Sequence, residues 1–238
     1  MNYAIFSAMA ASAKIVDLRK LLAERFPHPA FTTATRLVTG SAFLDQLAGG
    51  GLPRSAITEL ISPRITAGSA SLTRALIESA YRNNYFLALI DGHDSFDPCG
   101  LDNTALRCLL WVRGRQASET IRAADLLLRD GNFPLVIVDL VLNSPQELRK
   151  IPQTAWYRLQ RLVELIPTAC LVLTRHEMVG SAQLKLVLEN SWNLESLENQ
   201  NAVSQLRMVV KRSHLQPGVG ELGYLVRAAQ GSQRLEVG

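Results

Sequence analysis

Cysteine is scarce: three residues in 238, with no C-x-x-C spacing among Cys99, Cys108 and Cys170. That argues against a disulfide framework and against a cysteine zinc site, and it points to a reducing, cytoplasmic compartment. Long apolar runs are missing too. None approaches the roughly 18 residues of a membrane-spanning helix, so no membrane role is expected. The opening stretch MNYAIFSAMAASAKIVDLRK carries small apolar residues, but Lys14 follows them and no basic region precedes them, which argues against a secretory signal. Charge is thin, at 19% of residues with a net excess of +4. An excess this mild permits contact with an acidic partner or nucleic acid without requiring it. The chain does have ample apolar material, 47% of residues, enough to bury a layered core without a metal or disulfide.

Buried strands alternate with helices of ten to fifteen residues, a pattern that predicts an α/β fold with a mostly parallel sheet sandwiched by helices. AITELI, YFLALIDG, FPLVIVDLVL and ACLVLTRH read as strands covered on both faces, and WVRGR as a smaller one. LTRALIESAYRNN, SETIRAADLLLRDG and AWYRLQRLVELI read as helices. In the second, Ser118 is the N-cap candidate, Glu119 lies in the first turn, and Gly131 is the C-cap. LRMVVKRSH and LGYLVRAA predict an antiparallel pair at the end, joined by a turn at QPGVGE.

Residues 1–35 form a separate unit, an N-terminal helix and linker, ahead of a core over 36–238. Over 12–26, Ile15, Leu18, Leu22 and Phe26 recur at helical spacing. The opposite side carries Arg19, Lys20, Glu24 and Arg25, and Pro27 and Pro29 end the helix. Such an arm packs on its own domain, on a second copy in a homo-oligomer, or on a partner.

The strand–loop–helix over 57–80 sits where a phosphate-binding loop, G-x-x-x-x-G-K-[ST], would sit. That loop works through backbone N–H groups, a lysine on the β- and γ-phosphates, and a hydroxyl on magnesium. With its second glycine at Gly68, the first falls at Pro63, the lysine at Ser69 and the hydroxyl at Ala70, followed by Ser71. Both charge-handling groups are gone. Neither a metal nor a nucleotide cofactor is therefore expected.

VTGSAFLDQLAGGGLPRSAITELISP resembles the segment leading into the Walker A loop of RecA-type recombinases, and GSASLTRALIESAYRNNYFLALIDGHDSFDP runs parallel to the RecA stretch that follows. The resemblance covers about residues 36–228. It implies that Asp139 ends the Walker B strand, that His93 stands where RecA has its water-activating acid, and that Arg175 stands at the γ-phosphate sensor glutamine. It also puts Lys211 and Ser213 at the two late lysines. The loops that hold single-stranded DNA in RecA have almost no room here, because RHEMV runs directly into GSAQLKL.

GGGLPRSAITELISPR is further similar to the ImuA (SulA-like) group of RecA-related mutagenesis accessories. That resemblance implies a non-catalytic role in damage-induced translesion synthesis, with an ImuB-like inactive Y-family polymerase and RecA as partners. The alternatives are an atypical RecA-family ATPase that recruits a lysine such as Lys211 across a subunit boundary, and a RecA-filament modulator that binds single-stranded DNA weakly. Lys211 and Arg212 are the candidate phosphate or partner contacts, since five basic residues against two acidic ones in 199–238 hold most of the net charge. His93, His176, Asp139 and Glu177 are a conceivable acid–base group, but their spacing fits no ligand pattern. The plainer reading is that His93, with Asp91 and Asp94, belongs to a polar loop. Trp111, Trp156 and Trp192 read as core or interface anchors.

Overall fold

The computed structural model describes residues 35–192 and 206–214. The predicted arm over 12–26 and the LGYLVRAA strand lie outside them. Two short strands, β1 (Arg36–Leu37) and β2 (Leu52–Pro53), pair antiparallel around helix α1 (Ala42–Leu47). The main sheet then begins at β3 (Ala56–Ile61), which leads through a single 3-10 turn, Ile65–Ala67, into α2 (Ser69–Arg82). Next come β4 (Leu87–Asp91), the short helix α3 (Asn103–Leu106), β5 (Leu109–Arg113), α4 (Ala117–Asp130) and β6 (Leu135–Asp139). The short helix α5 (Pro145–Leu148), α6 (Gln153–Glu164), β7 (Ala169–Thr174), β8 (Leu184–Leu188) and β9 (Met208–Ser213) complete it.

The seven strands lie in the order β5-β4-β6-β7-β3-β8-β9, all parallel except β9, which runs antiparallel to β8. This is the expected α/β architecture, and it agrees with a RecA-like fold. Parallel strands buried on both faces must be apolar on both faces, and alternate residues serve different layers. Leu87, Leu89, Leu135, Ile137, Leu171 and Leu173 pack beneath α2 with Leu72 and Leu76. Ala88, Ile90, Val136, Val138, Cys170 and Val172 pack against α4 and α6 with Leu128, Trp156 and Val163. Burial pushes the Cys170 thiol up to about 12, so it is inert filling and not a nucleophile. Among the described residues, no helix is long and apolar enough to cross a membrane.

Two local expectations shift. The small strand runs Leu109–Arg113, two residues earlier than WVRGR. Helix α4 starts at Ala117 with Gln116 as its N-cap, so Ser118 lies inside the first turn. Glu119 accepts from the Arg115 N–H at 3.0 Å, and Glu147, from α5, accepts from the Ala117 N–H at 3.4 Å. The C-cap stays at Gly131, where φ is +69°. Strand β9 pairs antiparallel with β8; the pairing expected between LRMVVKRSH and LGYLVRAA falls outside the described residues.

GGGLPRSAITEL has a mechanical role. The Arg54 guanidinium donates to the Pro167 carbonyl at 2.7 Å, and the Ser55 hydroxyl to the Ile166 carbonyl at 2.7 Å. The Ser55 N–H reaches the Thr168 carbonyl at 2.8 Å. These bonds tie the entry of β3 to the loop between α6 and β7, which sets the register of the two central strands.

Candidate functional site

In parallel sheets, ligand sites form at the carboxyl ends of the strands. Here the order β4-β6-β7-β3 brings His93, Asp139, Arg175 and the loop 62–68 to one edge of the sheet. The positions that the resemblance assigns to a nucleotide site thus follow the ends of neighbouring strands. They are not joined: among the described residues, no hydrogen bond or ion pair links His93, Asp139 and Arg175.

The loop after β3 is closed by its own backbone and by apolar side chains. The Ser62 N–H donates to the Thr174 carbonyl at 2.7 Å, and its hydroxyl to the Arg64 carbonyl at 3.0 Å. Pro63 and Arg64 are exposed. Gly68 sits at φ +99°, a left-handed conformation that favours glycine. A β-carbon there would stand 2.6 Å from Leu206 Cδ2 and 3.0 Å from Trp192 Cη2. The Trp192 N–H also donates to the Thr66 carbonyl at 3.0 Å. Trp192 and Leu206 are both buried, as is Ser69, while Ala70 is exposed and Ser71 half-buried. A phosphate needs donors and charge at this point. The side chains lying against Gly68 offer an indole and an isobutyl group.

The polar loop after β4 is held by Asp91, which is buried. Its carboxylate accepts from the N–H groups of His93, Ser95 and Phe96, at 3.2, 2.7 and 2.7 Å. Asp94 pairs with Arg113, whose guanidinium also lies 5.0 Å from the Trp111 ring centre. Phe96 meets Trp111 edge-on at 5.3 Å. Of the three tryptophans, Trp156 belongs to the core, Trp111 to this stack, and Trp192 to the loop at Gly68. The His93 ring is exposed, and the Asp91 carboxylate is engaged in holding the loop.

Asp139 turns one carboxylate oxygen onto the Val141 N–H at 2.9 Å, a local turn at the strand end. Burial lifts its carboxyl to about 6, and the neighbouring Asp91 charge adds to the rise.

His176 and Glu177 follow β7, but Glu177 points away from Asp139. It takes Lys185 Nζ at 2.9 Å and Lys211 Nζ at 2.6 Å, and these ammonium groups hold its carboxyl down at about 2. Lys185 also reaches Glu59 at 3.0 Å, with both side chains essentially without solvent contact. Glu59 accepts in addition from the Met178 N–H at 2.7 Å, the Val179 N–H at 3.1 Å and the Thr174 hydroxyl at 3.2 Å. The result is a chain of alternating charges, Glu59–Lys185–Glu177–Lys211, running from the sheet interior to the surface. Arg212 donates to the Gly180 and Ala182 carbonyls at 3.1 and 3.3 Å. Both candidate phosphate contacts, Lys211 and Arg212, are therefore engaged within the chain. Sequence reasoning missed Glu59 and Lys185. The available signal was one charged residue of opposite sign inside each of two otherwise apolar runs, AITELI and LKLVL. Among the described residues, no cluster of His, Cys, Asp and Glu suits a metal ion.

No family model matches the chain. It is similar to Protein RecA of Clavibacter michiganensis subsp. michiganensis, 38% identical over 109 residues, which is 43% of this chain and 29% of that protein. Protein RecA of Chlorobaculum tepidum is 34% identical over 109 residues, and Protein RecA of Methylococcus capsulatus 31% over 106, each match covering 43% of this chain and 30% of the relative. The matched segment thus spans less than a third of the length of these curated relatives.

Proposed function

We propose that this chain is a RecA-like accessory of DNA damage tolerance that works through protein contacts and not through nucleotide turnover. The observation that carries this reading is the state of the loop after β3. Ser69 and Ala70 replace the lysine and hydroxyl, and Trp192 and Leu206 pack on Gly68 where phosphate donors would be needed. The similarity to RecA proteins supports a place in DNA repair or recombination. The run GGGLPRSAITELISPR supports the narrower assignment to ImuA-like mutagenesis accessories, with an ImuB-like inactive polymerase and RecA as partners. The ATPase alternative needs a free lysine, and Lys211 is already held 2.6 Å from Glu177.

The test is capture of purified RecA and of an ImuB-like polymerase by the immobilised full chain. At least one should be retained equally well with and without ATP and magnesium. The arm at 12–26 is the proposed contact. Full burial of a large apolar side chain contributes about 1.5–3 kcal/mol, so Leu18→Asp with Leu22→Asp should abolish capture while the thermal transition of the core stays in place. Retention of neither protein would overturn the accessory reading. A collapse of the transition would place the helix in the domain's own core.

A further inference from the structure

The most exposed large apolar side chain among the described residues is Leu165, at the end of α6, with 83% of its surface free. Leu126, on the neighbouring helix α4, is 62% exposed. Neither serves the core, and both lie on one composite surface. On α4, Arg122, Leu126 and Arg129 follow one another at intervals of four and three, which makes one stripe. On α6, Arg158, Arg161 and Leu165 do the same. Asp125 joins the stripes, because its carboxylate takes Arg129 of its own helix at 2.7 Å and Arg158 of the other at 2.6 Å.

Charge along these stripes is lopsided. Four guanidiniums meet one carboxylate, and that carboxylate is only 19% exposed between two of them. Arg122 and Arg161 have no hydrogen bond or ion pair among the described residues. The other acids of the two helices, Glu119, Asp130 and Glu164, accept from uncharged donors. Glu119 accepts from the Arg115 N–H, Asp130 from the Asn132 amide at 2.6 Å, and Glu164 from the Gln160 amide at 2.8 Å.

We propose that the paired outer faces of α4 and α6 are a docking surface for an acidic amphipathic segment of a partner protein, whose carboxylates meet Arg122 and Arg161 and whose apolar residues cover Leu126 and Leu165. Arginine flanking apolar anchors is the composition of protein interfaces. A second copy of this chain set face to face would oppose arginine to arginine, and a nucleic acid would leave both leucines uncovered. The surface lies on the helical layer and away from the carboxyl ends of the strands, so the proposal stands whether or not the loop at Gly68 holds a nucleotide.

The test uses fluorescence anisotropy of a labelled helical peptide of glutamate with leucine along one side, titrated with the full chain. A second peptide of equal charge has each leucine replaced by serine. The leucine peptide should bind, and the serine peptide should bind about tenfold more weakly or worse, a difference of about 1.4 kcal/mol. Arg122→Ala with Arg161→Ala, and separately Leu126→Ser with Leu165→Ser, should each weaken the leucine peptide by at least about tenfold. Arg64→Ala with Arg175→Ala, at the strand ends, should leave it unchanged. All the altered residues are exposed except the half-buried Arg175, and an unaltered melting curve confirms folding for each variant. Equal binding of the two peptides, insensitivity to either stripe variant, or no binding at all overturns the proposal. So does tighter binding of a single-stranded oligonucleotide or of phosphatidylserine vesicles that the same stripe variants abolish.

Discussion

Lys185→Met is expected to destabilise the protein by about 3–5 kcal/mol, the range for removing one partner of a buried ion pair. Lys185 and Glu59 stand opposite each other on the adjacent parallel strands β8 and β3, on the face that packs against α6, and neither side chain meets solvent appreciably. Deleting the ammonium leaves a carboxylate with no counter-charge in the interior. Adding Glu59→Gln should recover most of the loss. The amide oxygen still accepts from Met178, Val179 and Thr174, and the uncompensated charge is gone. Urea unfolding of the two single variants and the double variant gives the coupling directly. Additive losses in the double variant would mean that the buried pair does not hold β8 to β3.

Asp139→Asn should stabilise the protein at neutral pH and leave it unchanged near pH 4. The carboxyl titrates at about 6 in the folded chain and near 3.9 when unfolded. The folded state therefore binds the proton more tightly, and stability falls as pH rises from about 4 through 6. Asparagine escapes that penalty, and its side-chain oxygen still accepts from the Val141 N–H. The expected gain is roughly 1–3 kcal/mol at pH 8, read from urea midpoints at the two pH values. A gain of equal size at both, or a loss at pH 8, would show that the Asp139 charge is satisfied in the folded chain.

The strands buried on both faces were legible because nothing interrupts them: LALID, LVIVD and ACLVLT are read from local hydrophobicity alone. LKLVL escaped because Lys185 interrupts it, and the residue that makes a lysine tolerable there, Glu59, belongs to a strand far away in the chain. The start of α4 was misplaced for a related reason. Ser118 is a good local cap, but the helix begins two residues earlier, where Glu147 of a later helix accepts from the Ala117 N–H. At the candidate site, the spacing around Gly68 located the loop and revealed the missing lysine. It said nothing of Trp192 and Leu206, whose approach to Gly68 is a tertiary event. Asp91 looked as chemically interesting as His93, and only the three N–H groups on its carboxylate reveal it as a scaffold.

Calorimetric titration of the full chain with ATP and magnesium reads whether the loop after β3 handles nucleotide. Losing the lysine contact alone should weaken binding by about tenfold to a hundredfold relative to an intact loop, and the side chains packed on Gly68 should remove what remains. No measurable heat of binding and no phosphate release are expected. Binding in the low micromolar range, with turnover abolished by Asp139→Ala, would show that the loop handles nucleotide.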